Sequence, residues 1–370
     1  MDRKISLQRL RDAIPKKCFQ PSSFRSGLHI VTDLVLSGAL AGLALRFIPQ
    51  IEVWSLRVAL WMTYGYVQGL IFTGIWILAH ECGHQALFKS NFTNDTLGFV
   101  LHSALLVPYF SWKYTHARHH RYHNHMEKDT AFVPNQKGES TWSMSLAKLN
   151  HNAEDAPLVT AAMLAGHQLL GWQTYVMSYA SGGTSSTPQQ PNGKLLDRSH
   201  LNPAASLWTP SQRFYIALST AGMIATGTAL YFVSKSLGFQ YLALLYFVPY
   251  LWLNNWIIAI TYLHHTHRDV PHFDADGWTY VDGALGTVDR PFGFVGKHLF
   301  HGIIDYHVIH HLFPSIPFYE AEEATKAIRK ELGGRYLTDD TPFWLALWRT
   351  FRSCQVVAPV KGTPGILKWE

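Results

Sequence analysis

The sequence predicts an all-α integral membrane protein: four transmembrane helices in two hairpins, plus a cytosolic helical cap carrying a histidine-rich di-metal site. Three observations lead there. Only 15% of the 370 residues are charged, while 14% are aromatic; soluble domains carry roughly 25% charged residues. Four blocks of mostly apolar residues reach the length of about 20 that a helix needs to span the hydrocarbon core. Histidine occurs 21 times, and much of it is clustered at helical spacing.

The chain opens with seven basic residues, Arg3, Lys4, Arg9, Arg11, Lys16, Lys17 and Arg25, within a net charge of +6. Such a balance suits nucleic acid or an anionic membrane surface. No nucleic-acid module accompanies it, so nucleic acid is excluded as a partner and the bilayer is favoured. The first long apolar block starts too late for a cleavable signal peptide. The predicted spans cover approximately residues 28–48, 58–79, 213–233 and 241–263, paired into hairpins by short loops at 48–57 and 234–240. Lysine and arginine crowd the two terminal segments, whereas Lys235 is nearly alone in its loop, so both termini are placed in the cytosol. Residues 80–212 and 264–370 form the cap, and the chain reads as one domain, 1–370. Residues 97–112 are too short to span and contain Pro108; residues 158–180 carry His167, Gln168 and Gln173. Either stretch suits the membrane interface. Residues 181–203, rich in Ser, Gly and Pro, read as a loop. Cys18, Cys82 and Cys354 form no C-x-x-C pair, which argues against thiolate zinc and redox sites.

The histidines carry the chemistry. His80 and His84 flank Glu-Cys-Gly directly after the second span. His116, His119 and His120 form one H-x-x-H-H box, and His307, His310 and His311 form another. Positions i, i+3 and i+4 share a helix face. Eight imidazoles exceed the four to six ligands of a single transition metal, and imidazole suits Zn, Cu, Fe and Ni, so a two-metal centre follows. The boxes meet only if all lie on one side of the bilayer, which the hairpin arrangement provides. Glu81 and Asp129 stand close enough in sequence to hydrogen-bond the outer nitrogens of ligating imidazoles. His80-Glu81-Cys82-Gly83-His84 also matches H-E-x-x-H, in which the Glu of a zinc metalloprotease is the base. A protease would leave both H-x-x-H-H boxes unexplained, and Gly83 weakens the supporting helix.

The chain resembles the membrane fatty acyl desaturases, specifically the plant and fungal Δ12/ω-3 acyl-lipid branch. The resemblance runs through TGIWILAHECGHQA, VPYFSWKYTHARHH, TYLHHTH, GTVDRPFG and HGIIDYHVIHHLFPSIPFYEAEEATKAIRKEL. Gln85 and the HGII tract look fungal. The resemblance implies an O2-dependent oxidoreductase of the endoplasmic reticulum with two non-haem iron ions. Electrons would come from cytochrome b5 and its NAD(P)H reductase, and the product would be a double bond in a fatty acyl chain held on a lipid or another carrier. It further implies a ninth ligand just past the fourth span. Among His264, His265 and His267, the family places His at 265 and usually Gln at 264, so His265 is the candidate, with His267 in support. His301 and Asp305, just before box three, are further supporting candidates. A second histidine tract, HRYHNH with His123 and His125, departs from the family and receives no role. Breaking an unactivated C–H bond needs a metal–oxygen oxidant rather than acid–base groups. The alternative keeps that chemistry but turns it to an acetylenic bond, a hydroxyl group, or the side chain of a prenyl, polyketide or other lipophilic molecule in secondary metabolism. A non-catalytic structural metal site would need only four ligands.

Overall fold

The computed structural model describes residues 5–138 and 156–370, so His151 lies outside the described part. Helices dominate. The four spans are Ser23–Gln50, Trp54–Gly83, Pro210–Leu237 and Phe239–His265, each long and apolar enough to cross a bilayer. They outrun the apolar blocks because polar residues finish their ends. Ser22 Oγ accepts from the Arg25 amide at the first, and a capping box formed by Thr209 and Gln212 opens the third. Gly238, with φ of +90°, makes the turn between the third and fourth spans, a backbone that L side chains avoid. In the fourth span a π turn over Ala243–Phe247 precedes Pro249, whose ring and missing N–H disturb the regular ladder.

The second and fourth spans form the centre of the bundle and share its largest interface. Of their most apolar windows 78% and 44% are buried, against 17% for the first and third. Glycine permits the close approach: a Cβ at Gly69 would lie 2.3 Å from Trp252 Cβ, and one at Gly65 2.5 Å from Val248 Cγ1. The first and third spans instead present Leu34, Val35, Phe47, Ile224 and Phe232 outward, as lipid-facing surfaces do. Residues 97–112 divide at Pro108 between helices Asn91–Ala104 and Tyr109–Tyr122. Helix Pro157–Ser178 packs against the fourth span through Trp172 and Val176.

Two features depart from the sequence reading. The cap is not purely helical. Strands Asn135–Gln136, Val356–Pro359, Ile366–Trp369 and His272–Phe273 form one sheet in that spatial order, the first pair parallel and the others antiparallel. The basic N-terminal segment is also partly neutralised within the chain. Helix Leu7–Ala13 packs Leu10 among Ala324 and Ile328 of helix Ala321–Leu332. Around it Arg9 pairs with Glu331 at 2.6 Å, Lys17 with Glu323 at 2.7 Å, and Arg25 with Glu320.

Candidate metal centre

Each histidine box sits where an element ends or turns. His80 occupies the last turn of the second span and His84 its C-cap. His116, His119 and His120 ride on helix Tyr109–Tyr122, and box three is almost the whole of helix His307–Leu312. His265 ends the fourth span. The second and fourth spans thus deliver their histidine ends to one place, with the two cap helices closing over them.

The imidazoles sort into two groups. In the first, His80 Nε2 lies 3.0 Å from His310 Nε2, His84 Nε2 3.1 Å from His116 Nε2, and His116 Nε2 3.0 Å from His120 Nε2. In the second, His265 Nε2 lies 3.3 Å from His119 Nε2 and 3.4 Å from His307 Nε2, with the His311 ring 4.8 Å from both the His265 and His307 rings. Two nitrogens bound about 2.0–2.1 Å from one ion stand roughly 3.0–3.4 Å apart. The spacing therefore fits shared metal ions.

The boxes are not used as single faces. Neighbours on a helix diverge by about 100°, and the adjacent histidines straddle the two groups. Box two sends His116 and His120 to the first and His119 to the second. Box three does the reverse, sending His310 to the first and both His307 and His311 to the second.

Outer hydrogen bonds set several tautomers. A carbonyl only accepts, so His307 Nδ1 donates to Ile303 O at 3.1 Å and turns its Nε2 lone pair inward. Asp129 Oδ1 holds His119 Nδ1 at 2.6 Å, while its Oδ2 accepts from the Asn124 amide. Burial, reinforced by neighbouring imidazoles, pushes the pKa of His116, His120, His310 and His311 well below the ordinary 6.5 and that of His84 down to about 3. At neutral pH these rings offer lone pairs, the form a metal requires.

Of the predicted supporting residues, Glu81 is buried, with Oε2 accepting from the Phe318 amide and Oε1 3.5 Å from His310 Nδ1. Asp129 contacts His119 directly. The other three face different partners. His301 Nε2 bonds Asp33 Oδ2 of the first span at 2.8 Å, Asp305 Oδ1 accepts from the Phe292 amide, and His267 lies nearest Asp269 and Asp339. His264 turns from the centre, with Nδ1 on Val288 O and its ring stacked on His307 at 4.2 Å. Sequence reasoning missed Asp289, which accepts from the Val308 amide at 2.7 Å and from Tyr336, capping the box-three helix. It also missed the role of His123, although a spacing of four from His119 signals a shared helix face.

Against both groups lies a cavity of about 1040 Å³, at the top of the range for ligand pockets. His80, His116, His119, His265 and His307 stand in its wall, beside Trp76, Trp172, Ile258 and Tyr262. The C-terminal hairpin supplies Ile366, Leu367 and Trp369. Among the described lining residues only Glu127 and Asp274 carry charge, and there is neither lysine nor arginine.

Fold and site together define a helical membrane protein with a polyhistidine centre suited to two metal ions, opening on an apolar cavity. The family model for fatty acid desaturases matches residues 54–343, and the chain belongs to that family. It is 39% identical to an oleate hydroxylase of Claviceps purpurea, over 98% of this chain and 79% of the relative. It is equally similar, at 39%, to a Δ12 fatty acid desaturase of Mortierella alpina (96% of this chain, 88% of the relative). An endoplasmic reticulum omega-6 fatty acid desaturase of Glycine max is also 39% identical (97% and 89%). The protein is accordingly an oxidoreductase of the desaturase–hydroxylase family.

Proposed function

We propose that this protein desaturates a lipid-borne fatty acyl chain, using O2 at a di-iron centre held by His80, His84, His116, His120 and His310 on one ion and His119, His265, His307 and His311 on the other. The observation that carries this reading is the cavity, whose apolar wall continues directly into imidazoles of both groups. When bound, the irons supply the oxidising power for an unactivated C–H bond. The chain's own residues do the rest. Trp76, Ile258 and Tyr262 exclude water and hold an extended methylene run against the imidazoles, so that position along the wall decides which C–C bond reacts. With no cation on the described wall, a strongly anionic carrier finds no counter-charge, which favours an acyl group on a lipid. In this reading the boxes lie in the cytosol of an endoplasmic reticulum membrane with both termini on that side. The electron donor is cytochrome b5 with its reductase.

A second reading, hydroxylation, is favoured by the Claviceps purpurea hydroxylase, as similar as the desaturases at 39%, and by an oleoyl-12-hydroxylase of Ricinus communis at 38%. Both are tested by expression in a yeast lacking polyunsaturated fatty acids, followed by mass spectrometry of its lipids. A new dienoic or trienoic acid is the expected result, and a hydroxy acid selects the second reading. An unchanged lipid profile from well-expressed, iron-loaded protein overturns both.

A further inference from the structure

Residues 123–129 leave the box-two helix and fold back beneath the second imidazole group, and they meet it twice. One contact is Asp129 on His119. The other is His123, a fully enclosed imidazole whose Nε2 lies 2.8 Å from His265 Nδ1. Its own Nδ1 lies 2.8 Å from Gly283 O. The carbonyl only accepts, so His123 Nδ1 carries the proton and its Nε2 carries the lone pair. A 2.8 Å contact between two ring nitrogens needs one proton between them, and it then belongs to His265 Nδ1. The two hydrogen bonds form a directed chain, from His265 through His123 to Gly283.

The surrounding backbone enforces this chain. A Cβ at Gly283 would lie 2.4 Å from His123 O, so only glycine lets helix Tyr280–Ala284 approach closely enough. Trp278 Nε1 donates to His123 O at 2.9 Å, and Asn124 Nδ2 donates to Gly286 O at 2.7 Å. The His123 ring stands 4.5 Å from that of His265 and 4.3 Å from that of His311. Proximity alone would make it a tenth metal ligand. Direction argues otherwise, because its lone pair meets the Nδ1 side of His265, whereas His119 and His307 converge on the Nε2 side.

We infer that His123 is a positioning residue for the metal centre: it accepts the Nδ1 proton of His265, fixes that ring's tautomer and rotation, and makes its Nε2 a stronger donor, as Asp129 does for His119. The inference rests on the metal-centre reading above. Outer partners of ligating histidines typically change metal affinity by roughly 10–100-fold.

The test uses full-length protein in detergent, loaded with iron, and compares His123→Phe with His123→Gln. Phenylalanine fills the ring's volume without an acceptor, whereas glutamine restores an acceptor oxygen. The readouts are iron per chain, imidazoles per iron from X-ray absorption, and the rate of iron loss to a chelator. Expected for His123→Phe is full loading at saturating iron with an unchanged imidazole count, but release of one of the two irons roughly 10–100-fold faster. His123→Gln should return release to within a few-fold of the parent. Parent-like release from His123→Phe overturns the inference. So does an imidazole count lowered in His123→Phe and not rescued by glutamine, which would make His123 a ligand. Failure of the metal-centre reading is distinguishable, because His265→Ala and His310→Ala would then retain iron as tightly as the parent.

Discussion

The two imidazole groups differ less in ligand number than in what stands behind the ligands. In the second group, Asp129 braces His119, Ile303 O braces His307 and His123 braces His265; only His311 lacks an outer partner among the described residues. In the first, among the described residues, His80 Nδ1 and His120 Nδ1 have none, and His310 Nδ1 has only the longer approach of Glu81 at 3.5 Å. His84 and His116 are also only partly buried. The contrast teaches that similar donor sets can differ in preorganisation: more of the second group's imidazoles than of the first's are fixed by hydrogen bonds from outside.

The bluntest way to break the comparison is to delete a ligand from each side. On the two-ion proposal, His310→Ala and His307→Ala should each reduce turnover to background, with iron falling to about one per chain. If either variant keeps substantial turnover, the two-metal reading fails. A chelator titration of the parent, followed by iron content, sharpens the contrast further. Metal should leave in two steps, the first from the less braced group, and His310→Ala should abolish the fast step. Next in size are the outer partners. Asp129→Asn should lower activity and metal affinity by roughly 10–100-fold, whereas Glu81→Gln, across a longer gap, should cost less; the reverse order would refute the assignment of the braced group. Asp289→Ala removes the cap of the box-three helix, a loss of about 1 kcal/mol, visible as a drop of about 2–4 °C in the melting temperature. Smallest of all is His264→Gln, since the amide can still donate to Val288 O; iron content and activity should stay at the parent's values.

The spans and the boxes were legible because each is a local signal: a run of apolar residues or a helical spacing. His265 was singled out by the family resemblance instead, since the span's end offers His264, His265 and His267 alike. The division of labour within each box was not legible. It depends on which partner helix faces each of two neighbouring imidazoles, a tertiary fact invisible in H-x-x-H-H. The sheet escaped for a related reason: its strands are two to four residues long and pair across segments as remote as Asn135 and Val356, too short to show alternation. His301 points the same way. Its partner Asp33 is 268 positions distant, and no spacing rule links an acid in the first span to a turn before box three.

The crossed use of the boxes also sets a timetable. On a chain emerging from the ribosome, the first group has four of its five imidazoles once residue 120 is made, and waits only for His310. The second has His119 alone until His265, His307 and His311 follow. A half-made protein therefore holds most of one imidazole group and a single member of the other, and both are completed only when the box-three helix docks between the two sets. That completion rests on a single six-residue helix, made before the C-terminal hairpin that supplies Ile366, Leu367 and Trp369 to the cavity wall.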